Sequence, residues 1–300
     1  MKTKVLFLGC NHNQIPYIKV LKELNYQIIG ADFNPDAPGK ELCDRFYNVG
    51  YDDLKALKDI GEAEGFDSSS KVFTASAQFA HKGCSNFANY FGIPYPKEKS
   101  IVFCLDKVAY YKYFLKNNIP LPKTSFVKNE QELRIELEKL EDSYSFYLKS
   151  DYSKNPNYVY KFNKDNAPFN NFFWGRDRYL KNFYILQEEY PGISLRINIY
   201  GNRFNVIDFY TSKYTHEHHN RIEKLKVINT LKDLMTKIGI QDWLIKFDII
   251  LGTEGYVVLD IGLDPPSRMK QKAIDQNLNF EALYIKHHLE NLIEYPLSLD

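Results

Sequence analysis

Apolar residues over the first hundred positions come in short runs separated by stretches with helical spacing. Lys4-Val-Leu-Phe-Leu-Gly9, Tyr26-Gln-Ile-Ile-Gly-Ala-Asp32, Arg45-Phe-Tyr-Asn-Val49 and Lys71-Val-Phe-Thr-Ala75 read as strands. Between the first two, Ile15, Ile18, Leu21 and Leu24 fall near one face of a helix over 14–25, and helical stretches separate the others. Such alternation predicts βαβ units and a parallel sheet. Ligands of parallel sheets bind beyond the carboxyl ends of the strands, which puts Gly9, Asn11, Asn13 and Asp32 on the candidate functional edge. No G-x-G-x-x-G follows the first strand, so a dinucleotide is disfavoured. A purely structural cap is the other reading of this segment.

Gly92-Ile-Pro-Tyr-Pro96 interrupts the pattern and marks a boundary between an α/β domain, 1–97, and an α+β domain, 98–300. A helix over 100–118, a strand over 124–127, a helix over 130–140 and strands over 145–149 and 158–161 make a central lobe of about 123–190. A strand from Phe183 runs into a turn at Gly192, followed by strands over 195–200 and 203–210, a helix over 222–238 and a closing helix over 280–292, in a C-terminal lobe of about 191–300.

The most telling stretch is a predicted hairpin, Trp243 to Leu251 and Tyr256 to Asp264, joined by Gly252-Thr-Glu-Gly255. Each apolar strand carries an aspartate, Asp248 and Asp260, nearly equidistant from the turn. They are placed to face one another across the ladder, where opposed like charges are destabilising unless something positive sits between them. A Mg²⁺ ion carrying nucleotide phosphates answers that need, since Mg²⁺ is held by one or two carboxylates plus phosphate oxygens. Two solvent-facing aspartates on an edge hairpin are the plainer reading.

Composition narrows the partners. Net charge is +1, with 39 Lys+Arg against 38 Asp+Glu, so no global field favours nucleic acid or a membrane surface. No run approaches the ~20 apolar residues of a membrane span, and the N-terminal strand lacks a signal-peptide layout. Cys10, Cys43, Cys84 and Cys104 are scattered without a C-x-x-C pair, which suggests reduced thiols in a cytoplasmic protein.

Taken together these segments resemble the ATP-grasp superfamily of ligases, in particular members preceded by a biotin carboxylase-like parallel-sheet domain. The resemblance spans nearly the whole chain. Leu8-Gly9-Cys-Asn11-His-Asn-Gln14 is similar to the family's opening strand and loop, and Asp32-Phe-Asn34-Pro35 to the end of its second strand. Asp106-Lys107 opening a helix that closes in Asn118-Ile-Pro120-Leu-Pro122 is a further match. The resemblance implies ATP between the two lobes, with Lys107 and Lys149 on the phosphates, Glu188, Glu189 and Tyr190 as the adenine hinge, and Mg²⁺ (or Mn²⁺) on Asp248 and Asp260. It also implies that Arg196 and Arg268 sit near the transferred phosphate, where a bidentate guanidinium offsets developing charge.

Three positions depart from the family pattern. The loop after Lys149 reads Ser150-Asp-Tyr-Ser153-Lys-Asn-Pro-Asn157, without the usual glycines, so Ser153 or its neighbours would have to meet phosphate. Ser194 stands where a ribose-binding glutamate is expected, and Gly262 where an asparagine ligand is expected. Asp264 is then a candidate for the missing oxygen, or a turn aspartate before Pro265. His216-Glu-His218-His219 lacks further ligands at zinc spacing and reads as a polar loop that meets substrate. Asn11 and Gln14 would close one wall of the substrate site. The implied activity is ATP-dependent joining of a small-molecule carboxylate to an amine or other nucleophile; a phosphotransferase on the same scaffold and a nucleotide-binding chain without turnover are the alternatives. Pairing of two copies is the expected assembly.

Overall fold

The computed structural model describes residues 2–76, 78–140, 145–151, 159–169, 183–200, 203–208, 216–265, 270 and 273–290. Twelve strands among them form three four-stranded sheets.

The first sheet comprises β1 (Lys4–Leu8), β2 (Gln27–Ala31), β3 (Arg45–Tyr47) and β4 (Lys71–Thr74), all parallel and ordered β3-β2-β1-β4. Alternate side chains feed two different cores, as the period of two requires. Val5, Phe7, Ile28 and Phe73 pack on helix α1 (Ile15–Glu23), whereas Leu6, Leu8, Ile29 and Val72 pack on α2 (Leu54–Ala63) and α3 (Ala80–Phe91). Both faces are covered, which explains strands that are apolar throughout. The predicted helix over 100–118 is two helices, α4 (Glu98–Leu105) and α5 (Lys107–Lys116). They part at Asp106, which is extended and whose carboxylate caps α5 by accepting from Ala109 N at 3.0 Å.

The second sheet is antiparallel, ordered β5-β8-β6-β7 from β5 (Thr124–Val127), β6 (Phe146–Ser150), β7 (Val159–Phe162) and β8 (Tyr184–Glu188), with α6 (Glu130–Glu138) on one face. The third is antiparallel as well, ordered β10-β9-β11-β12: β9 (Ile193–Tyr200), β10 (Arg203–Asp208), β11 (Ile245–Leu251) and β12 (Tyr256–Gly262). One face of it packs on α4, α5, α7 (His216–Lys224) and α8 (Val227–Ile238). The 216–219 stretch, expected as a loop, opens helix α7, and Lys226 in the left-handed region separates α7 from α8.

The last helix, α9 (Phe280–Glu290), does not close the C-terminal lobe alone. Phe280, Tyr284, Ile285 and Leu289 enter the same core as α1 and β1, together with Leu244 just before β11. Where α3, the approach to β11 and α9 meet, His81, Tyr95, Trp243 and His288 stack, with Trp243 and His288 ring centroids 4.3 Å apart. His81 Nδ1 is 2.6 Å from the Tyr95 hydroxyl, and His288 Nδ1 lies 2.7 Å from Tyr284 O, so that nitrogen carries the proton.

Burial pushes His81 down to about 4 from an ordinary 6.5 and holds His288 well below the same value, where the neighbouring His287 adds to the effect. Both rings are therefore neutral in the folded chain, while the unfolded chain takes up protons below pH 6.5. Their contribution is complete above pH 6.5 and is lost as pH falls towards the folded values. For His81, unfolding free energy at pH 5.5 should lie below that at pH 7.5 by about 1.4 kcal/mol, and His288 acts in the same direction. Denaturant melts check this, with His288→Gln expected to flatten the dependence; an unchanged slope would show that the buried imidazole takes no part.

Candidate active site

The hairpin strands do not run in simple register. From the turn, Leu251 pairs with Tyr256, Ile250 with Val257 and Ile249 with Val258; the next pair is Asp248 with Asp260. Leu259 is the extra residue of a β-bulge. Uninterrupted pairing would set Leu259 against Asp248 and turn Asp260 into the core. With the bulge, Val258 and Ile261 stay in the core while Leu259 and Asp260 both face outward into a cleft.

Helix α5 holds the bulge. Lys107, Tyr110 and Tyr111 share one face at the i, i+3 and i+4 positions. Asp260 Oδ1 accepts from Lys107 Nζ at 2.9 Å, from the Tyr110 hydroxyl at 2.7 Å and from Ile261 N at 3.0 Å. The Tyr111 hydroxyl donates to the Leu259 carbonyl, and Lys149 Nζ on β6 donates to Tyr111 at 2.7 Å. Both phenols are pushed well above their ordinary pKa, first by burial and then by the Asp260 charge, so they remain neutral donors.

Asp248 is held from the other side. The β9–β11 register sets it opposite Arg196, which donates bidentately, Nε to Oδ1 at 2.7 Å and a terminal nitrogen to Oδ2 at 2.8 Å. Burial works against the guanidinium charge, but these hydrogen bonds and the Asp248 charge leave its pKa raised. Arg196, Asp248 and Asp260 thus form one row across three strands. Asp264 is paired in turn with Lys246. The positive charge that the facing aspartates demanded is supplied by the chain itself.

The charged side chains of this network line one cleft of about 930 Å³. The second sheet contributes Tyr147, Lys149, Gln187, Glu188 and Glu189, followed by Tyr190; the third contributes Ser194, Arg196, Lys246, Asp248 and Asp260, with Asp264 just beyond. Glu188 N and Glu189 N close the second sheet by donating to Lys123 O and Ser145 O. The Lys161 ammonium, 2.6 Å from Glu189, holds that carboxyl below the usual range. Tyr190 packs against the β11–β12 turn, where a Cβ on Gly252 would lie 2.7 Å from its ring.

Ten predicted site residues therefore meet in one place: Lys107, Lys149, Glu188, Glu189, Tyr190, Ser194, Arg196, Asp248, Asp260 and Asp264. Ser153, Arg268 and the His216 side chain lie outside the described residues. Asn11 and Gln14 are not on the cleft. Asn11 accepts from Asn13 N at 2.9 Å in its own turn, and the buried Gln14 donates to Ala75 O at 2.8 Å, tying the first helix to β4. The first domain meets the cleft instead through Gln78 and Phe79, just ahead of α3. Lys246, Tyr110, Tyr111, Tyr147 and Gln187 went unread. The signal was present for two of them, because Lys246 and Tyr147 stand two residues before Asp248 and Lys149, on the same strand faces.

Among the described residues no group of three or more His, Cys, Asp or Glu side chains is set to chelate an ion unaided. A phosphate-borne Mg²⁺ asks for less, one or two carboxylates, and the Asp248–Asp260 row fits it.

No family model matches the sequence, and no curated protein matches it. Solved structures match it in fold. N5-carboxyaminoimidazole ribonucleotide synthetase from Thermotoga maritima gives a TM-score of 0.72 at 16% identity, covering 100% of this chain and 78% of that one. L-amino acid ligase from Bacillus licheniformis gives 0.69 at 14%, covering 98% and 78%. The biotin carboxylase domain dimer of 2-oxoglutarate carboxylase from Hydrogenobacter thermophilus, in complex with MgADP, ADP and bicarbonate, gives 0.73 at 13%, covering 98% and 71%.

Removing Lys107 strands Asp260 beside a nearly buried helix face; the lysine side chain is 6% exposed and the aspartate 29%. Lys107→Met should lower unfolding free energy by about 2–3 kcal/mol, less than breaking a fully buried pair, because water still reaches Asp260. Combined with Asp260→Asn, the loss should fall short of the two single losses added together by on the order of 1 kcal/mol. Urea melts of the two singles and the double check this, and strict additivity would show the pair to be uncoupled.

Proposed function

From the premise that this chain has the ATP-grasp fold of those enzymes, we propose that it is an ATP-dependent ligase joining a small-molecule carboxylate to an amine or another nucleophile. One observation carries the reading. Two lysines, an arginine and a cross-strand aspartate pair converge with a hinge segment from a second sheet in a single cleft. Cations from separate elements aimed into one cleft suit a polyphosphate, and the paired carboxylates suit the metal that accompanies it.

In this reading the base lies along Glu188, Glu189 and Tyr190, with Tyr147 and Gln187 beside it and Ser194 towards the ribose. Lys107 and Lys149 donate to phosphate oxygens as compact point charges. Asp248 and Asp260, with Asp264 nearby, are the residues that would hold Mg²⁺, which supplies charge neutralisation at the β- and γ-phosphates. Arg196, bound to Asp248 here, is near enough to share its donors with the transferring group and to offset charge as it develops. The substrate carboxylate attacks the γ-phosphorus and the bond to the β-bridging oxygen breaks, giving an acylphosphate and ADP. The nucleophile then adds to the acyl carbon, and phosphate leaves with formation of an amide when the nucleophile is an amine. No side chain forms a covalent intermediate; the chain positions the reactants and balances charge.

A second reading, nucleotide binding without turnover, draws support from one observation: all three cleft aspartates already carry a cation of the chain.

Calorimetric titration with a non-hydrolysable ATP analogue separates these readings from no site at all. The ligase predicts Mg²⁺-dependent binding, and ADP release only when an acid and a nucleophile are both present. ADP release with the acid alone would indicate a phosphotransferase, and binding with no release under any acid a silent site. Lys149→Ala should raise the analogue Kd about ten- to a hundredfold, for a lost charge-assisted contact of ~1.5–3 kcal/mol. Asp260→Asn should abolish turnover, and normal turnover would remove Asp260 from the metal site.

A further inference from the structure

Two neighbouring rows lie on the cleft side of the third sheet, with Asn198 in the second buried beneath the cleft wall. The first is Arg196, Asp248 and Asp260; the second is Asn198, Lys246 and Gly262. Glycine in a strand weakens it and needs a reason. At Gly262 the reason is not backbone conformation, since its φ lies outside the left-handed region. The reason is space. A Cβ at 262 would stand 2.2 Å from Lys246 Cε, 2.7 Å from Cγ and 3.0 Å from Cδ. The lysine lies flat across β12 in room that only glycine leaves, and its ammonium reaches an ion pair with Asp264. Its side chain is 13% exposed, so the charge is sheltered and fixed.

Phosphoryl-transfer sites neutralise their substrate with one or two divalent ions. We propose that Lys246, seated over Gly262, is a built-in cation occupying the place beside Asp264 that a second divalent ion would take, so that this site operates with a single divalent ion on the Asp248–Asp260 row. The inference rests on the nucleotide-site reading above and makes Lys246 a positioning residue that fixes metal stoichiometry. Asp264 lies two residues beyond Gly262, past the end of β12, and lines the same cleft. Asp264 is a single carboxylate beside a glycine that offers no side-chain oxygen, so an incoming ion gains less there than between the two carboxylates of the row. An ammonium also donates hydrogen bonds directly to phosphate oxygens, which a hydrated Mg²⁺ does through its waters.

The test counts ions rather than turnover. Mn²⁺ is titrated by electron paramagnetic resonance into the chain saturated with a non-hydrolysable ATP analogue, with analogue occupancy fixed by calorimetry. The native chain should hold one Mn²⁺ per bound analogue. Lys246→Met bares Asp264 and should raise the count to two. Gly262→Ala keeps the lysine but blocks its path, and should raise the count as well, which preserves the test if Lys246→Met fails to fold. Two ions on the native chain, or one on a folded variant, would overturn the proposal while leaving the nucleotide site standing. A native chain that binds no analogue would instead remove the nucleotide site, and this inference with it.

Discussion

One inserted residue in β12 governs the cleft. Because Leu259 has no partner on β11, Asp260 is turned out of the core and set against Asp248. That arrangement sets two like charges opposite each other, a repulsion of roughly 0.2–1 kcal/mol in a ladder. Hydrogen bonds to charged groups contribute about 1.5–3 kcal/mol each, and the pair receives several of them, from Arg196 on one side and from Lys107 and Tyr110 on the other. Attraction wins, but only with this strand order. Arg196 can share the row because β9, not β10, is the other neighbour of β11.

The same bulge joins the two antiparallel sheets. Its freed carbonyl, Leu259 O, accepts from Tyr111, and Tyr111 accepts from Lys149 on the opposite sheet. A hydrogen-bonded chain thus crosses the head of the cleft from β6 to β12 through α5. Lys149 is consequently not a loose surface cation: Phe146, Leu148 and Ser150 on its strand are buried, and only Tyr147 and Lys149 alternate outward. Whatever enters the cleft meets cations that already have partners. It must offer oxygens at least as good as a carboxylate or a phenol, which phosphate does and most neutral ligands do not.

Much of this was legible. The strand and helix order, the parallel first sheet and the antiparallel hairpin followed from periods of two and 3.6, and Asp248 faced Asp260 as their spacing suggested; that eight further residues would share their cleft came from the family resemblance. What escaped was long-range. No local pattern announces that α9 returns to the first sheet, because its apolar face would serve any partner. Asn11 and Gln14 sit where a parallel sheet offers ligand contacts, yet Asn11 closes its own turn and Gln14 bonds to Ala75, and Gln78 and Phe79 reach the cleft instead. Asp106 broke a helix that periodicity carried through, since a cap and an interior aspartate look alike until the backbone turns. The two tyrosines after Lys107 are core residues, and only their hydroxyls take part in the site.

At 13–16% identity, what this chain shares with the solved structures is the fold. What the backbone leaves free is how each facing position is filled. Lys246 and Gly262 form such a pair, one side chain large because its cross-strand neighbour has none. The resemblance could register Gly262 only as a missing ligand, because it compares positions singly. Physically the absent side chain and the lysine belong to one arrangement, because the stem of Lys246 occupies the space that Gly262 leaves. A departure from a family pattern is therefore weak ground for calling a site disabled until the residue across the ladder has been examined. Here that residue is Lys246, whose stem lies over the glycine and whose ammonium pairs with Asp264.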